Sequence, residues 1–126
     1  FRERIDFGSN LLTEQYGSRV QLDKSRLFDG LDGYKKLLQT DIDVVLLCTP
    51  PAFRPEHLAA AIDAGKHIYA EKPVAVDFGV LSVLESARLA KLKNLVILDG
   101  FCWRYDKANE EAHRKLSSEN WDAASF

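Results

Sequence analysis

The sequence predicts an α/β fold built on a parallel sheet, and three observations predict it. Short apolar runs bounded by turn signals, "DVVLLC" over 43–48, "HIYA" over 67–70 and "LVIL" over 95–98, read as strands. Helical patterns of ten residues or more separate them. No pair of runs is joined by a two-residue hairpin signal. Strand and helix alternating in this way imply right-handed crossovers, with helices on both faces of the sheet.

Each element has its own justification. "RERIDFGSNLLTEQY" suggests a helix to about Tyr16, closed by Gly17 as a left-handed cap, with Gly8 weakening its first half. "QLDKSRLFDG" is a loop or a short extended piece. Asp32 is placed to cap a helix through "GYKKLLQ", whose Tyr34, Leu37 and Leu38 share one face. The run 43–48 is continuously apolar, the pattern of a strand covered on both faces, and "TPP" ends it. Pro55 suits the first turn of the next helix and Gly65 its end. Asp77 caps a helix to about Leu92, with Val80, Leu81, Leu84, Ala87 and Leu89 as its apolar stripe. After the third strand comes "DGFCWRYD", and Asp106 or Asn109 opens a last helix to about Leu116.

Composition narrows the function. The 126 residues fit one domain, and an apolar share of 46% suffices for a core. Seventeen Lys plus Arg against 19 Asp plus Glu, without a basic block, leave no electrostatic footprint for nucleic acid or an anionic membrane. A small-molecule ligand is expected instead. Cys48 and Cys102 stand apart from any CxxC or Cys/His spacing, so they read as two reduced thiols, and neither a disulfide nor a metal site is expected. There is no apolar run of membrane-spanning length and no opening signal peptide. A cytoplasmic protein is expected, with periplasmic export as the alternative, because the chain opens at Phe1, contains no methionine and reads as cut at both ends.

Ligands of an open parallel sheet bind outside the carboxyl ends of the strands, and three loops lie there in this reading. The first offers Thr49, Pro50, Pro51, Arg54 and His57; the second Glu71, Lys72 and Pro73; the third Phe101, Trp103, Arg104 and Tyr105. Each has a plainer interpretation. Glu-Lys-Pro alone is a solvated turn, and only its place after a buried strand makes it a candidate site. "TPP" can simply stop a strand. His57 reads first as a surface residue and second as a ligand contact, while His67 and His113 read as structural. "FCWRY" is either core aromatics with a snorkelling arginine or a stacking wall for a planar ring. No GxGxxG turn and no ribose-binding acid is recognisable.

The stretches "DVVLLCTPPAFRPEHLAAAIDAGKHIYAEKPVAVD" and "GFCWRYD" resemble the nucleotide-binding domain of the Gfo/Idh/MocA family, named for glucose-fructose oxidoreductase and inositol dehydrogenase. The resemblance is close over 41–106 and looser beyond. It implies a partial Rossmann-type doubly wound parallel sheet, lacking its first βαβ elements and the C-terminal substrate domain. Residues 1–118 would be the partial dinucleotide-binding domain and 119–126 the start of the next. The implied activity is hydride transfer between NAD or NADP and a sugar or polyol hydroxyl, in a homo-oligomer. Lys72 would stabilise the developing alkoxide, Glu71 would orient or partly neutralise it, and Pro73 would fix the loop. Thr49, Pro50, Pro51 and His57 would line the dinucleotide, with Trp103 and Arg104 near the nicotinamide. Two alternatives share the fold: a glycoside hydrolase that uses held NAD for transient oxidation, and a dinucleotide-binding module without turnover. With the glycine turn and first helix expected before Phe1, this stretch alone should bind dinucleotide weakly.

Overall fold

The computed structural model describes residues 2–118. In chain order it contains helix α1 (Arg2–Tyr16), helix α2 (Gly33–Leu38), strand β1 (Val44–Leu47), helix α3 (Arg54–Asp63), strand β2 (His67–Ala70), helix α4 (Gly79–Leu92), strand β3 (Ile97–Asp99) and helix α5 (Lys107–Ser118). The strands form one parallel sheet in the order β1-β2-β3, with Val45 beside Ile68 and Ile68 beside Ile97. It is the α/β architecture expected from the alternation, and a partial Rossmann sheet. The expected boundary after 118 and the further domain from 119 lie outside the described residues.

Helix ends determine where the strands begin. Gly65 has φ +72°, and behind it Lys66 N–H returns to the Ala61 carbonyl and Gly65 N–H to that of Ile62. The same closure ends α4, with Asn94 at φ +55° in place of a glycine and Leu95 N–H returning to Ala90. Both are Schellman closures, in which one left-handed residue lets the last carbonyls find donors. Leu95, expected in the third strand, is therefore used by the helix stop, and β3 begins at Ile97. Phe78, not Asp77, holds the cap position of α4; Asp77 stands one residue earlier and its carboxylate accepts from Gly79 N–H at 2.8 Å, while Asp106 caps α5 through Ala108 and Asn109 N–H at 3.1 Å. Asp32 does not cap α2 with its side chain; its carboxylate pairs with Lys35 at 2.6 Å instead.

The core lies on one side of the sheet. Val45, Leu47, Ile68 and Ala70 point toward α3, whose Leu58, Ala61 and Ile62 are buried against them, and Leu38 of α2 and Ala90 of α4 complete the cluster. Two successive right-handed crossovers that step in the same direction put both helices on the same face. The opposite face is open among the described residues: Val44 and Leu46 of β1 and Leu98 of β3 are exposed, Leu46 at 67%. The expectation that 43–48 is covered on both faces, and that helices flank both faces, is not met within this stretch.

The expected α4 stripe is also corrected. Val80, Leu81, Leu84 and Ala87 are exposed, whereas Ser86 and Ala90 are buried, with Val83 and Leu89 packed beside them. Close approach of α4 to α3 selects small side chains over large ones. A Cβ on Gly79 would stand 2.7 Å from Pro55 Cγ. That contact joins the first turns of the two helices.

Leu58→Ala is therefore expected to destabilise the protein by about 2–5 kcal/mol in urea unfolding, and Leu84→Ala by no more than about 0.5 kcal/mol. Equal losses at the two positions would contradict this packing.

Candidate active-site rim

Because the three strands are parallel and neighbours, the loops after Leu47, Ala70 and Asp99 leave from one edge. Backbone hydrogen bonds continue the sheet into them. Glu71 N–H donates to the Leu47 carbonyl at 3.1 Å, and Gly100 N–H to that of Ala70 at 2.8 Å. A Cβ on Gly100 would lie 2.8 Å from the Tyr69 hydroxyl, so any larger residue there would displace that ring. The loops at Pro50, Lys72 and Trp103 thus share one rim, as the strand-end rule predicts.

Arg54, at the start of α3, is the deepest polar group of the rim and is only 6% exposed. Its Nε donates to the Thr49 carbonyl at 2.7 Å, and its Nη1 to the carbonyls of Glu71, at 2.6 Å, and Pro73. Charge-assisted bonds to three carbonyls compensate the guanidinium's loss of water. The sequence places Arg54 in the first loop but gives no sign of this role.

The other rim residues divide into internal and outward groups. His57, expected first on the surface, is buried at 8%: the Tyr34 ring lies 4.1 Å from it, the Phe53 ring stacks at 6.0 Å, and Nδ1 shares a hydrogen bond with Thr49 Oγ1 at 3.1 Å. Burial pushes its pKa below the ordinary value, with Glu56 opposing. Glu56 is itself engaged, accepting from the Tyr34 hydroxyl at 2.7 Å. His67 is structural, its Nδ1 accepting from Val96 N–H at 3.0 Å.

Facing outward, Pro50, Lys72 and Pro73 are exposed and Pro51 is half-buried. The Lys72–Pro73 peptide is cis. The Glu71 carboxylate accepts from the backbone N–H of Lys72 at 2.9 Å, so it fixes the backbone of its neighbour. Trp103 is 73% exposed, and the Arg104 guanidinium lies 5.5 Å from the Phe101 ring centroid. Phe101, Trp103 and Arg104, with Asn109, Glu110 and His113 of α5, line a cleft of about 840 Å³. Cys48 and Cys102 are free thiols. No group of His, Cys, Asp or Glu among the described residues could hold a metal ion, and no described helix is long and apolar enough to cross a membrane.

A nicotinamide dinucleotide can be tested against these residues. Asp99 Oδ1, at the carboxyl end of β3, is buried and finds no donor among the described residues, and the exposed Trp103 offers a flat apolar face. Those features fit the ring end of such a group. No described strand leads through a glycine-rich turn into a helix, so nothing described here fits its pyrophosphate.

A parallel sheet with its polar groups gathered at the carboxyl edge places this chain in the class of open α/β domains that bind ligands at their strand ends. The chain belongs to the Gfo/Idh/MocA oxidoreductase family, matching its NAD-binding Rossmann fold over residues 9–100. It is 34% identical over 87 residues to an inositol 2-dehydrogenase of Pseudomonas savastanoi pv. phaseolicola, covering 69% of this chain and 24% of that protein. A 4-carboxy-2-hydroxymuconate-6-semialdehyde dehydrogenase of Sphingobium is 29% identical over 87 residues, covering 69% and 27%. Among solved structures, scyllo-inositol dehydrogenase from Lactobacillus casei with bound NAD(H) and scyllo-inositol superposes with a TM-score of 0.58 at 26% identity, covering 68% of this chain and 25% of that one. The chain spans about a quarter of the length of the relatives it matches.

Burial of neutral His57 has a consequence for stability. Its folded pKa is depressed, so the unfolded chain takes the proton first. The contribution is complete above the unfolded value of about 6.5 and is lost as pH falls through the folded value. Urea midpoints at about pH 7.5 and about pH 5 should therefore drop for the wild type, and drop less for His57→Gln. An equal drop in both would show that His57 carries none of it.

Proposed function

We propose that this chain supplies the nicotinamide-facing rim of an NAD(P)-dependent oxidoreductase acting on a sugar or polyol hydroxyl, with residues 1–118 as its dinucleotide-binding part. Family membership supports the cofactor class, and the relatives named as inositol dehydrogenases support the substrate class. The observation that carries the reading is the setting of Lys72. It is an exposed cation one residue beyond Glu71 at the carboxyl end of the central strand, and its backbone is held on both sides.

A nicotinamide held at this rim would supply the hydride acceptor for the carbinol carbon. The chain's own residues hold and polarise the reacting hydroxyl. The Lys72 ammonium donates a hydrogen bond to the substrate oxygen and stabilises the negative charge that grows there as the hydroxyl proton passes to water at the open rim. Glu71 holds the Lys72 backbone through its N–H, and Pro73 closes the turn without adding a competing donor. Trp103 and Arg104 present a ring face and a cation at one side of the rim, and Pro50 and Pro51 a rigid apolar wall at the other. Thr49 and His57 act from behind that wall, locking the first loop onto α3 through their shared hydrogen bond.

The test is Lys72→Met in protein expressed from its complete reading frame, assayed with NAD and NADP against a panel of polyols and pyranoses. Turnover should fall by about two to three powers of ten, as for loss of one oxyanion donor, with dinucleotide affinity little changed. Near-normal turnover in a folded variant would remove Lys72 from the chemistry.

A further inference from the structure

We propose that Arg54 is the positioning residue for Lys72. This rests on the reading of Lys72 given above, and it adds a residue to which that reading assigned no part.

The two Nη1 bonds go to the carbonyls of Glu71 and Pro73, the residues on either side of Lys72, and the Nε bond goes to Thr49 in the neighbouring loop. One rigid, planar cation therefore sets the height of the lysine's backbone above the sheet and its distance from the first loop. A guanidinium is suited to this because its donors stand in a fixed planar fork, whereas the three donors of an ammonium on a flexible stem impose no such spacing. No carboxylate pairs with Arg54 among the bonds described, so its function there is to gather backbone carbonyls. Pro55 seats the arginine, lying in the first turn of α3 and packed against Gly79 at the start of α4. The guanidinium is thereby fixed relative to both ends of the loop that carries Lys72.

Removing the guanidinium leaves three inward-facing carbonyls without donors. They recover hydrogen bonds only by turning the loop toward water, which carries Lys72 with it. A displacement of about 1 Å in a catalytic group costs on the order of a hundredfold in rate. Arg54→Ala should therefore lower turnover by about ten- to a hundredfold, and Arg54→Lys, which keeps the charge without the fork, by an intermediate amount.

The decisive measurement is a double-mutant cycle on the protein from its complete reading frame, with folding checked by circular dichroism. If Arg54 acts through Lys72, adding Arg54→Ala to Lys72→Met costs no further turnover, within about twofold. A second readout is independent of turnover. The ¹³C signal of reductively methylated Lys72, assigned by its absence in Lys72→Met, should shift in Arg54→Ala while those of Lys24 and Lys91 stay in place. Full additivity in the cycle, an unmoved Lys72 signal, or unfolding of both Arg54 variants would reduce Arg54 to a structural clamp and overturn the proposal. Loss of turnover in Lys72→Met with normal turnover in Arg54→Ala would overturn it alone. Normal turnover in Lys72→Met would overturn the catalytic reading and this inference with it.

Discussion

A single buried guanidinium organises the carboxyl edge of the sheet. Arg54 has given up water for three backbone carbonyls drawn from two loops that are far apart in sequence. An uncompensated charge in that position would cost several kcal/mol, so the carbonyls have to be there. Hydrogen bonds from a charged donor are worth about 1.5–3 kcal/mol each, enough to hold turns that have no regular secondary structure of their own. Much of the rim follows from that arrangement: the first loop is tied to the start of α3, and the turn after β2 is held on both sides of the exposed Lys72.

The sheet beneath the rim is one-sided within the described residues, and its order explains why. Strands β1, β2 and β3 follow one another in space as in sequence, so each right-handed crossover lands its helix on the same face. Leu58, Ala61 and Ile62 fill that side, while Val44, Leu46 and Leu98 remain exposed on the other. At the carboxyl edge the first turns of α3 and α4 come together, with Pro55 close against Gly79. Those first turns are where Arg54, Pro55 and Gly79 meet.

Much of this was legible in the sequence, for physical reasons that can be named. Runs such as "DVVLLC" and "HIYA" are too short and too β-branched or aromatic for helices, and Pro55, Gly65, Asp77 and Asp106 punctuate the chain by well-understood backbone preferences. Parallel neighbours then bring the three loops together without any knowledge of side-chain contacts. What stayed hidden depends on partners remote in the chain. Arg54 bonds to carbonyls, which every residue has, so no motif marks its acceptors. His57 is buried by Tyr34 and Phe53, one of them from a separate helix. On α4 Val80, Leu81, Leu84 and Ala87 of the expected stripe face outward and only Leu89 packs against the core, because the buried positions are held by Ser86 and Ala90, whose smallness the pattern of large apolar residues does not register.

The central claim is that the loops after β1, β2 and β3 form one surface that meets a nicotinamide dinucleotide. Hydrogen–deuterium exchange of the protein from its complete reading frame, with and without NAD, tests it most directly. The account predicts slowed exchange in peptides spanning 49–54, 71–74 and 100–105 together. Protection confined to the opposite edge, at 43, 66–67 and 95–96, with all three loops unchanged, would contradict it.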